Sequence, residues 1–376
     1  MSAVPEPIGS EELADLRRSL RGLLSTAADE EAVRAAAASE TGHDEKLYAR
    51  LATELGVQSL ALPAPYGDGF GMEALAVVLG EFGRSVVPGP FFSTVVLAAG
   101  ALVASGDAAA MDRYLPGIAD GSVVATLAVI EADGHWRHQD FGVAAQRQGD
   151  QWSLSGTKAL VPDLLTSDIV LVAAATPEGE ALFAVDTAAP GVDRTALRTL
   201  DITRRIGRLD LGDVPATLIG APGGLSQILD AVLDRAAAGL AAEQIGGAEA
   251  CLEMAVSYAK VREQFGRPIG SFQAVKHKCA DMFARTELGR AAALEAARAL
   301  DGREDAPPAA EAAAVAHSVC SETFMFVAME NIQVHGGIGF TWEHPAHLYF
   351  RRAKADQLMF GGPAAYYERL LKALGA

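Results

Sequence analysis

The amino-acid sequence predicts an α+β chain of several domains: an N-terminal helical domain, a middle antiparallel β-domain and a C-terminal bundle of long helices. The first third carries leucines mostly three or four residues apart, and the middle third carries short strand-like runs between turns. The last third contains long helical stretches. At about 100–200 residues per domain, the 376 residues suit two or three domains, which we place at 1–119, 120–219 and 220–376.

The N-terminal domain is predicted to begin with a helix at Ser10, because serine caps helix N-termini and two glutamates follow it in the first turn. Leu47, Leu51 and Leu55 share one face of a later helix. Residues 63–71 are rich in proline and glycine and separate that helix from the next one. We therefore expect helices joined by loops in this part of the chain.

The middle domain is predicted to be a sheet or barrel. Apolar runs at residues 123–130, 152–158, 169–175 and 181–185 are typical of strands, and turns rich in glycine, aspartate and proline separate them. Because no helix of about 10–15 residues intervenes, we expect antiparallel pairing and no doubly wound fold. The sequence also lacks a Gly-x-Gly-x-x-Gly after a strand and a Walker A motif.

The C-terminal domain is predicted to contain three long helices, at about 226–263, 272–300 and 309–333, and a last helix at about 363–374. The connections between these helices are short. Long helices with short connections favour an antiparallel bundle.

The composition excludes some classes of function. Lys and Arg number 31 and Asp and Glu number 48, so the net charge is −17 and we expect no nucleic-acid partner. The cysteines Cys251, Cys279 and Cys320 are far apart, so we expect neither a disulfide framework nor a zinc site. Cysteines used in this way favour a cytoplasmic location.

The sequence predicts no contact with a membrane. The N-terminus has neither the basic region nor the apolar run of a signal peptide. The longest uncharged stretch, residues 85–106, is interrupted by Pro88, Gly89 and Pro90. It retains roughly 14 continuous apolar residues, fewer than the about 20 that cross a bilayer. We interpret it as a buried helix.

Two clusters of residues have compositions that packing alone does not explain. In the first, a long helix is predicted to end at Gly266, with Arg262 and Phe265 in its last turn, and the next helix begins at Gln273. An arginine, an aromatic ring and an amide at one corner between helices are suited to bind a phosphate, stack on a ring and bond a polar group. An ordinary turn, with Arg262 favourable at a helix C-terminus, is the alternative.

The second cluster begins at Gln333 and contains Gly336, Gly337 and Gly339. Three glycines in four positions let another molecule approach the backbone and leave N–H groups for it. A glycine-rich turn between helices is the alternative. Three nearby histidines lack the spacing of helical metal ligands and have no cysteine near them, so no metal is expected.

Together the two clusters resemble the acyl-CoA dehydrogenase family of flavoproteins, and the three-part architecture is similar to that family over the whole chain. Each cluster is similar to one helical signature of the family, and the two stand in the family's order. The residues that carry the resemblance are Arg262, Phe265, Gly266, Phe272 and Gln273 in the first cluster, and Gln333, Gly336, Gly337, Gly339, Phe340 and Arg351 in the second.

The resemblance implies that FAD lies between subunits, and therefore a dimer or tetramer of identical or different chains. It implies that Arg262 binds the pyrophosphate and that Phe265 packs on the cofactor of a neighbouring chain. The other implied contacts to that dinucleotide are Gln273, Gln333, Gly336 and Gly337.

The reaction that the resemblance implies is α,β-dehydrogenation of an acyl-CoA thioester. A carboxylate removes the α-proton while the β-hydrogen leaves as hydride to the flavin. An electron-transfer flavoprotein or a similar acceptor would then take up the electrons.

The catalytic base departs from the family pattern. In many members it is a glutamate before a glycine in the last helical region, and this chain has Phe360 there, which cannot accept a proton. Some relatives carry the base on the long helix before the Arg-x-x-Phe motif, where this chain has Ala236. Of the neighbouring carboxylates, Glu243 and Asp234, we favour Glu243 as the base because its small and apolar neighbours predict burial. A structural charge is the alternative for both.

The β-domain departs as well. Of the family's Thr/Ser-Glu-Pro segment only Glu131 and a displaced Gly134 are present, and Leu160-Val-Pro162 replaces the flavin-facing Trp-x-Thr/Ser. A tryptophan that shields the flavin ring and a hydroxyl that bonds it are both missing. Flavin binding by this domain is therefore expected to be weakened, or supplied by a partner chain.

Three functions remain open. The favoured one is an acyl-CoA dehydrogenase, alone or as one subunit of a hetero-oligomer, and analogy with mixed bacterial tetramers suggests bulky steroid-type thioesters. The second is a non-catalytic subunit that completes a partner's flavin site. The third is a flavin oxidase or monooxygenase on the same scaffold. Flavin absorbance of the purified chain, its bleaching by acyl-CoA and peroxide production distinguish the three.

Overall fold

A computed structural model describes residues 8–149 and 151–373 of the chain. Helices, a β-barrel and a bundle of long helices follow one another in the predicted order. The predicted fold class is thereby confirmed.

Three of the N-terminal helices begin where aspartates cap them, whereas the first helix follows Gly9, so the prediction that Ser10 caps it is wrong. Asp29, Asp44 and Asp107 each accept a hydrogen bond from a backbone N–H in the first turn of the following helix. A π-helical segment, Phe92–Ala98, continues directly into the fifth helix. The helices are α1 (Ser10–Ala27), α2 (Glu30–Ala38), α3 (Glu45–Thr53), α4 (Gly71–Ser85), α5 (Ala99–Ser105) and α6 (Ala108–Ala119).

The middle part is a closed barrel, because β4 pairs with β5 as well as with β1 and β2. Most strand pairs are antiparallel as predicted, whereas β1 and β2 run parallel to β4. Apolar side chains such as Leu154, Val172 and Phe183 fill the barrel interior. The strands are β1 (Ala125–Ala128), β2 (Ala144–Gln148), β3 (Gln151–Pro162), β4 (Ile169–Thr176), β5 (Gly179–Asp186), β6 (Val192–Ala196) and β7 (Ile206–Ile219).

The C-terminal bundle contains the three predicted long helices and one helix, α10, that the sequence did not predict. A hairpin of two short strands, β8 (Glu263–Gln264) and β9 (Arg267–Pro268), joins the first two long helices. The helices are α7 (Leu225–Val261), α8 (Gln273–Leu300), α9 (Ala309–His335), α10 (Ala346–Leu358) and α11 (Pro363–Ala373).

Helix α9 lies at the centre of the bundle, in contact with α7, α8, α10 and α11. With the turn that follows it, Ala309–Phe340, it is long and apolar enough to cross a membrane, but 67% of its most apolar window is buried inside the protein. Burial on this scale explains the apolar composition as that of a core helix.

Helices α4 and α7 cross in direct backbone contact because glycines meet there. A Cβ atom on Gly83 would overlap the carbonyl of Glu243, and one on Gly246 would overlap the carbonyl of Gly80. This crossing joins the N-terminal helices to the bundle and places Glu243 at a fixed depth in the core.

Candidate functional site

The corner between α7 and α8 presents an aromatic ring to solvent. The hairpin turns at Phe265 and Gly266, whose φ angles of 55° and 77° are both in the left-handed region. A phenylalanine in this region is strained, and its side chain is nevertheless 92% exposed. Neither burial nor backbone preference explains the ring, so its position points to a binding role.

Arg262 lies at the base of the same hairpin. Its backbone N–H donates to the Tyr258 carbonyl at 2.9 Å, and its own carbonyl accepts from Ile269 N–H at 2.8 Å. Its guanidinium is exposed, and no carboxylate in the described ranges lies within ion-pair distance of it. Gln273, exposed at the first position of α8, lies at the helix end that favours anions.

The glycine cluster lies at the C-terminal end of α9. Gln333, Gly336 and Gly337 are exposed, and a Cβ atom on either glycine would meet nothing within 4 Å. The backbone is therefore open to close approach, as predicted. The expectation of free N–H groups is wrong for Gly336, whose N–H donates to carbonyls of the last turn of α9.

Two stacked rings bring the clusters together. Tyr258, one turn before Arg262, stacks on His335, the residue before Gly336, with ring centroids 4.4 Å apart and planes at 29°. His335 Nδ1 lies 2.8 Å from the Asn331 carbonyl oxygen, which fixes the ring. We name residues 258–273 together with 333–337 the cofactor corner.

The donors of the cofactor corner suit the diphosphate end of a dinucleotide. Arg262 supplies an exposed cation, Gln273 and Gln333 supply exposed amides, and Phe265 supplies an apolar ring. Guanidinium groups bind phosphate with directed hydrogen bonds. The observed chemistry therefore fits FAD at this end.

At residues 160–162, where the resemblance places the flavin-facing Trp-x-Thr/Ser, the β-barrel carries neither an aromatic ring nor a hydroxyl. Leu160 has a φ of 50° and is 41% exposed, and Pro162 has no N–H and accepts a hydrogen bond from Thr126 Oγ1 at 2.6 Å. Glu131 accepts from Lys158 Nζ at 2.8 Å and from Gly142 N–H at 2.8 Å. Its carboxylate is thus engaged within the barrel and holds a loop closed.

Lys158, the partner of Glu131, is fully buried. Burial lowers its pKa to about 8, although Glu131 raises it. Its Nζ also lies 4.2 Å from the centre of the Phe141 ring. The ammonium group of Lys158 is therefore held inside the protein by Glu131 and Phe141.

Phe360, at the position where the resemblance places the family's base, lies in an aromatic cluster. Phe360 lies 5% exposed, with its ring 6.2 Å from that of Phe92 in a stacked arrangement and 5.4 Å from that of Trp136 in an edge arrangement. We name these three residues the aromatic plug. Phe360 thus packs against two other aromatic rings and offers no proton acceptor.

Glu243, the favoured catalytic residue, is buried and ion-paired. Its Oε1 accepts hydrogen bonds from Arg204 Nη2 at 2.7 Å and from Arg352 Nη1. Arg352 Nε also donates to Asp201 at 2.8 Å, and Arg204 lies 3.2 Å from Asp356. We name these five residues the buried ion-pair network.

The electrostatics of the network disfavour proton uptake by Glu243. Burial raises its pKa, but the attraction of Arg204 and Arg352 outweighs burial and holds the pKa below its usual value. A cavity of about 30 Å³ borders Glu243 and both arginines, which is room for about one water molecule. The catalytic assignment of Glu243 stays a prediction, while its contacts favour a structural role.

Asp234, the second candidate base, lies 2.7 Å from Arg369 of α11. Burial raises its pKa, and Arg369 lowers it. Ala236 is fully buried and offers no proton acceptor. Asp234 therefore ties α7 to α11, and its catalytic assignment also stays a prediction.

Sequence reasoning missed the residues that surround Glu243 in the buried ion-pair network. Arg204, Arg352 and Asp356 are charged, which usually indicates a surface position, and each is less than 9% exposed. The adjacent arginines 204–205 and 351–352 were the available signal. Within 8–149 and 151–373, the structure contains no group of three or more potential metal ligands.

A helical domain, a β-barrel and a long-helix bundle with a dinucleotide corner define a flavin-dependent oxidoreductase. The sequence matches the family "Acyl-CoA dehydrogenase, N-terminal domain" over residues 10–122 and "Acyl-CoA dehydrogenase, C-terminal domain" over residues 223–373. The chain belongs to the acyl-CoA dehydrogenase family, whose members depend on FAD.

Curated relatives are similar to this chain over almost its full length. "Acyl-CoA dehydrogenase IpdE2" of Mycobacterium tuberculosis is 35% identical over 96% of each chain. "Acyl-CoA dehydrogenase FadE34" of the same organism is 37% identical over 96% of this chain and 48% of its own length. The predicted family, enzyme class and cofactor are thereby confirmed.

Solved structures give the same result. A chain of the steroid ACAD Tcur3481-Tcur3483 is 38% identical, with a TM-score of 0.86 over 97% of this chain and 98% of that one. A chain of the ChsE4-ChsE5 complex from Mycobacterium tuberculosis is 29% identical, with a TM-score of 0.86 over 98% of each. Both structures carry the names of two proteins, and the second is named a complex.

Proposed function

We propose that this chain is one subunit of a hetero-oligomeric acyl-CoA dehydrogenase, in which it binds the diphosphate end of a flavin carried by a partner subunit. FAD supplies the hydride acceptor for α,β-dehydrogenation of an acyl-CoA thioester. In this proposal the partner supplies the contacts to the flavin ring and the base.

The aromatic plug is the observation that carries this proposal. Phe360 replaces a carboxylate and packs on Phe92 and Trp136, so this chain offers no proton acceptor at the usual base position. The other candidates, Glu243 and Asp234, are ion-paired to arginines. Loss of the base with an intact cofactor corner is the pattern expected of a supporting subunit.

The relatives support the same interpretation and suggest a substrate class. The two solved relatives described above each carry the names of two proteins; one is named a complex and the other a steroid ACAD. We infer that the substrate of the assembly is a bulky, steroid-type acyl-CoA thioester. An electron-transfer flavoprotein or a similar acceptor is the inferred electron partner.

Location and domain limits complete the proposal. Three free cysteines, two of them buried, support a cytoplasmic location. The limits 1–119, 120–219 and 220–376 stay our proposal for the domains, and the end of α6 at Ala119 and the start of α7 at Leu225 support them.

The test compares the chain purified alone with the assembly that co-purifies through a tag on this chain. We expect little flavin absorbance and no acyl-CoA-dependent bleaching in the chain alone, and both in the assembly. Stoichiometric FAD and full dehydrogenation by the chain alone would refute the proposal. Peroxide formation in place of dye reduction would favour a flavin oxidase.

A further inference from the structure

Two side chains in series, Arg267 and Phe272, support the exposed ring of the cofactor corner. The Phe265 and Phe272 rings meet edge to face, with centroids 6.0 Å apart and planes at 82°. The Arg267 guanidinium lies 4.2 Å from the centre of the Phe272 ring. Phe272 therefore connects a cation of the hairpin to the ring at its tip.

The backbone of Phe272 is fixed by the start of α8. Its carbonyl accepts hydrogen bonds from Val275 N–H at 3.2 Å and Lys276 N–H at 3.1 Å, and its own N–H donates to the Ile269 carbonyl at 3.1 Å. Three backbone hydrogen bonds leave this residue little freedom, so its half-buried ring is a rigid support.

Phe265 needs such a support. Its side chain is 92% exposed, so burial does not restrict the ring, and its backbone is in the strained left-handed region. A ring that contacts a cofactor across a subunit interface binds more tightly when it is held in place before binding.

We infer that Phe272 and Arg267 are positioning residues, which hold Phe265 in the orientation that contacts the partner's flavin. This inference rests on the proposed function and adds a supporting layer to its binding site. Arg267 restrains Phe272 by a cation–π contact, and Phe272 restrains Phe265 by an edge-to-face contact.

The test measures the dissociation constant of FAD for the assembly purified through this chain and freed of flavin, by quenching of flavin fluorescence. Phe272→Leu keeps apolar volume and removes the ring, and we expect about fivefold weaker FAD binding. In a Phe265→Ala background the same substitution should have no further effect. Phe272→Tyr should restore wild-type affinity, and the thermal midpoint should not change.

Phe283→Leu is the matched control, because Phe283 lies on the same helix and is 56% exposed. It should leave the FAD affinity unchanged. Equal weakening by Phe272→Leu with and without the Phe265 ring would overturn the inference, as would no weakening at all. If Phe265→Ala binds FAD as tightly as the wild type, the proposed flavin contact itself is refuted. If Phe265→Ala binds FAD more weakly but Phe272→Leu binds it normally, only the positioning step is refuted.

Discussion

Replacing Glu243 by glutamine removes one charge from the buried ion-pair network and keeps the shape of the side chain. Arg204 and Arg352 then retain Asp356 and Asp201 as their carboxylate ion-pair partners. Removing one partner of a buried ion pair costs about 3–5 kcal/mol. Since both arginines keep one carboxylate each, we expect a loss near the lower limit, about 3 kcal/mol in the free energy of unfolding.

The assay is urea unfolding at pH 7, followed by tryptophan fluorescence, beside dehydrogenation by the assembly. Glu253→Gln is the matched control, because Glu253 lies on the same helix and pairs with Arg84 while its side chain is 56% exposed. An exposed pair contributes about 0–1 kcal/mol. Should Glu243→Gln be as stable as the wild type and abolish turnover, Glu243 is the base and the structural interpretation is refuted.

Acid should weaken the contribution of Glu243. Its folded pKa is held below the ordinary value of 4.5, so its stabilising contribution is complete above that value and is lost as the pH falls through the folded pKa. The Glu243→Gln variant should therefore differ most from the wild type at neutral pH and least in strong acid.

Three further predictions concern the glycine crossing, the aromatic plug and the network. Gly83→Ala should cost about 1–3 kcal/mol in the free energy of unfolding because its Cβ meets the Glu243 carbonyl, whereas Gly22→Ala, in open space, should not destabilise; equal urea midpoints would contradict this. Phe360→Glu should leave the purified chain unable to oxidise acyl-CoA in a dye-reduction assay, because in the proposed assembly the partner supplies the contacts to the flavin ring; turnover would contradict it. Burial raises the pKa of Asp356 from 3.8 to about 7, so its stabilising contribution is complete below pH 3.8 and is lost as the pH rises to 7, and Asp356→Asn should flatten the fall in stability between about pH 4 and 7 measured by urea unfolding.

Local patterns were sufficient for the architecture because they reflect local physics. Leucine spacing predicted the first helix, and the turn formers between apolar runs predicted the barrel strands. Helix α10 was missed because Arg351, Arg352 and Asp356 read as surface charges, although Arg352 and Asp356 are buried. Their burial depends on partners elsewhere in the chain, which helical periodicity does not report.

In the candidate site, too, local features could be predicted from the sequence and contacts between distant residues could not. The composition of the cofactor corner was visible in the sequence, because the residues of each cluster are close together along the chain. The network around Glu243 was not visible, since Arg204 lies 39 positions before it and Arg352 lies 109 positions after it. The ring stacking of Tyr258 on His335 also joins distant segments and required the structure.

The buried ion-pair network has a consequence for dissecting the molecule. Arg204 comes from a loop before the last barrel strand, whereas Glu243 and Asp356 come from bundle helices. In a fragment of residues 220–376, Glu243 and Asp356 would remain buried without the guanidinium group of Arg204. The barrel and bundle should consequently melt as one cooperative unit, and neither half should survive as an autonomous fragment.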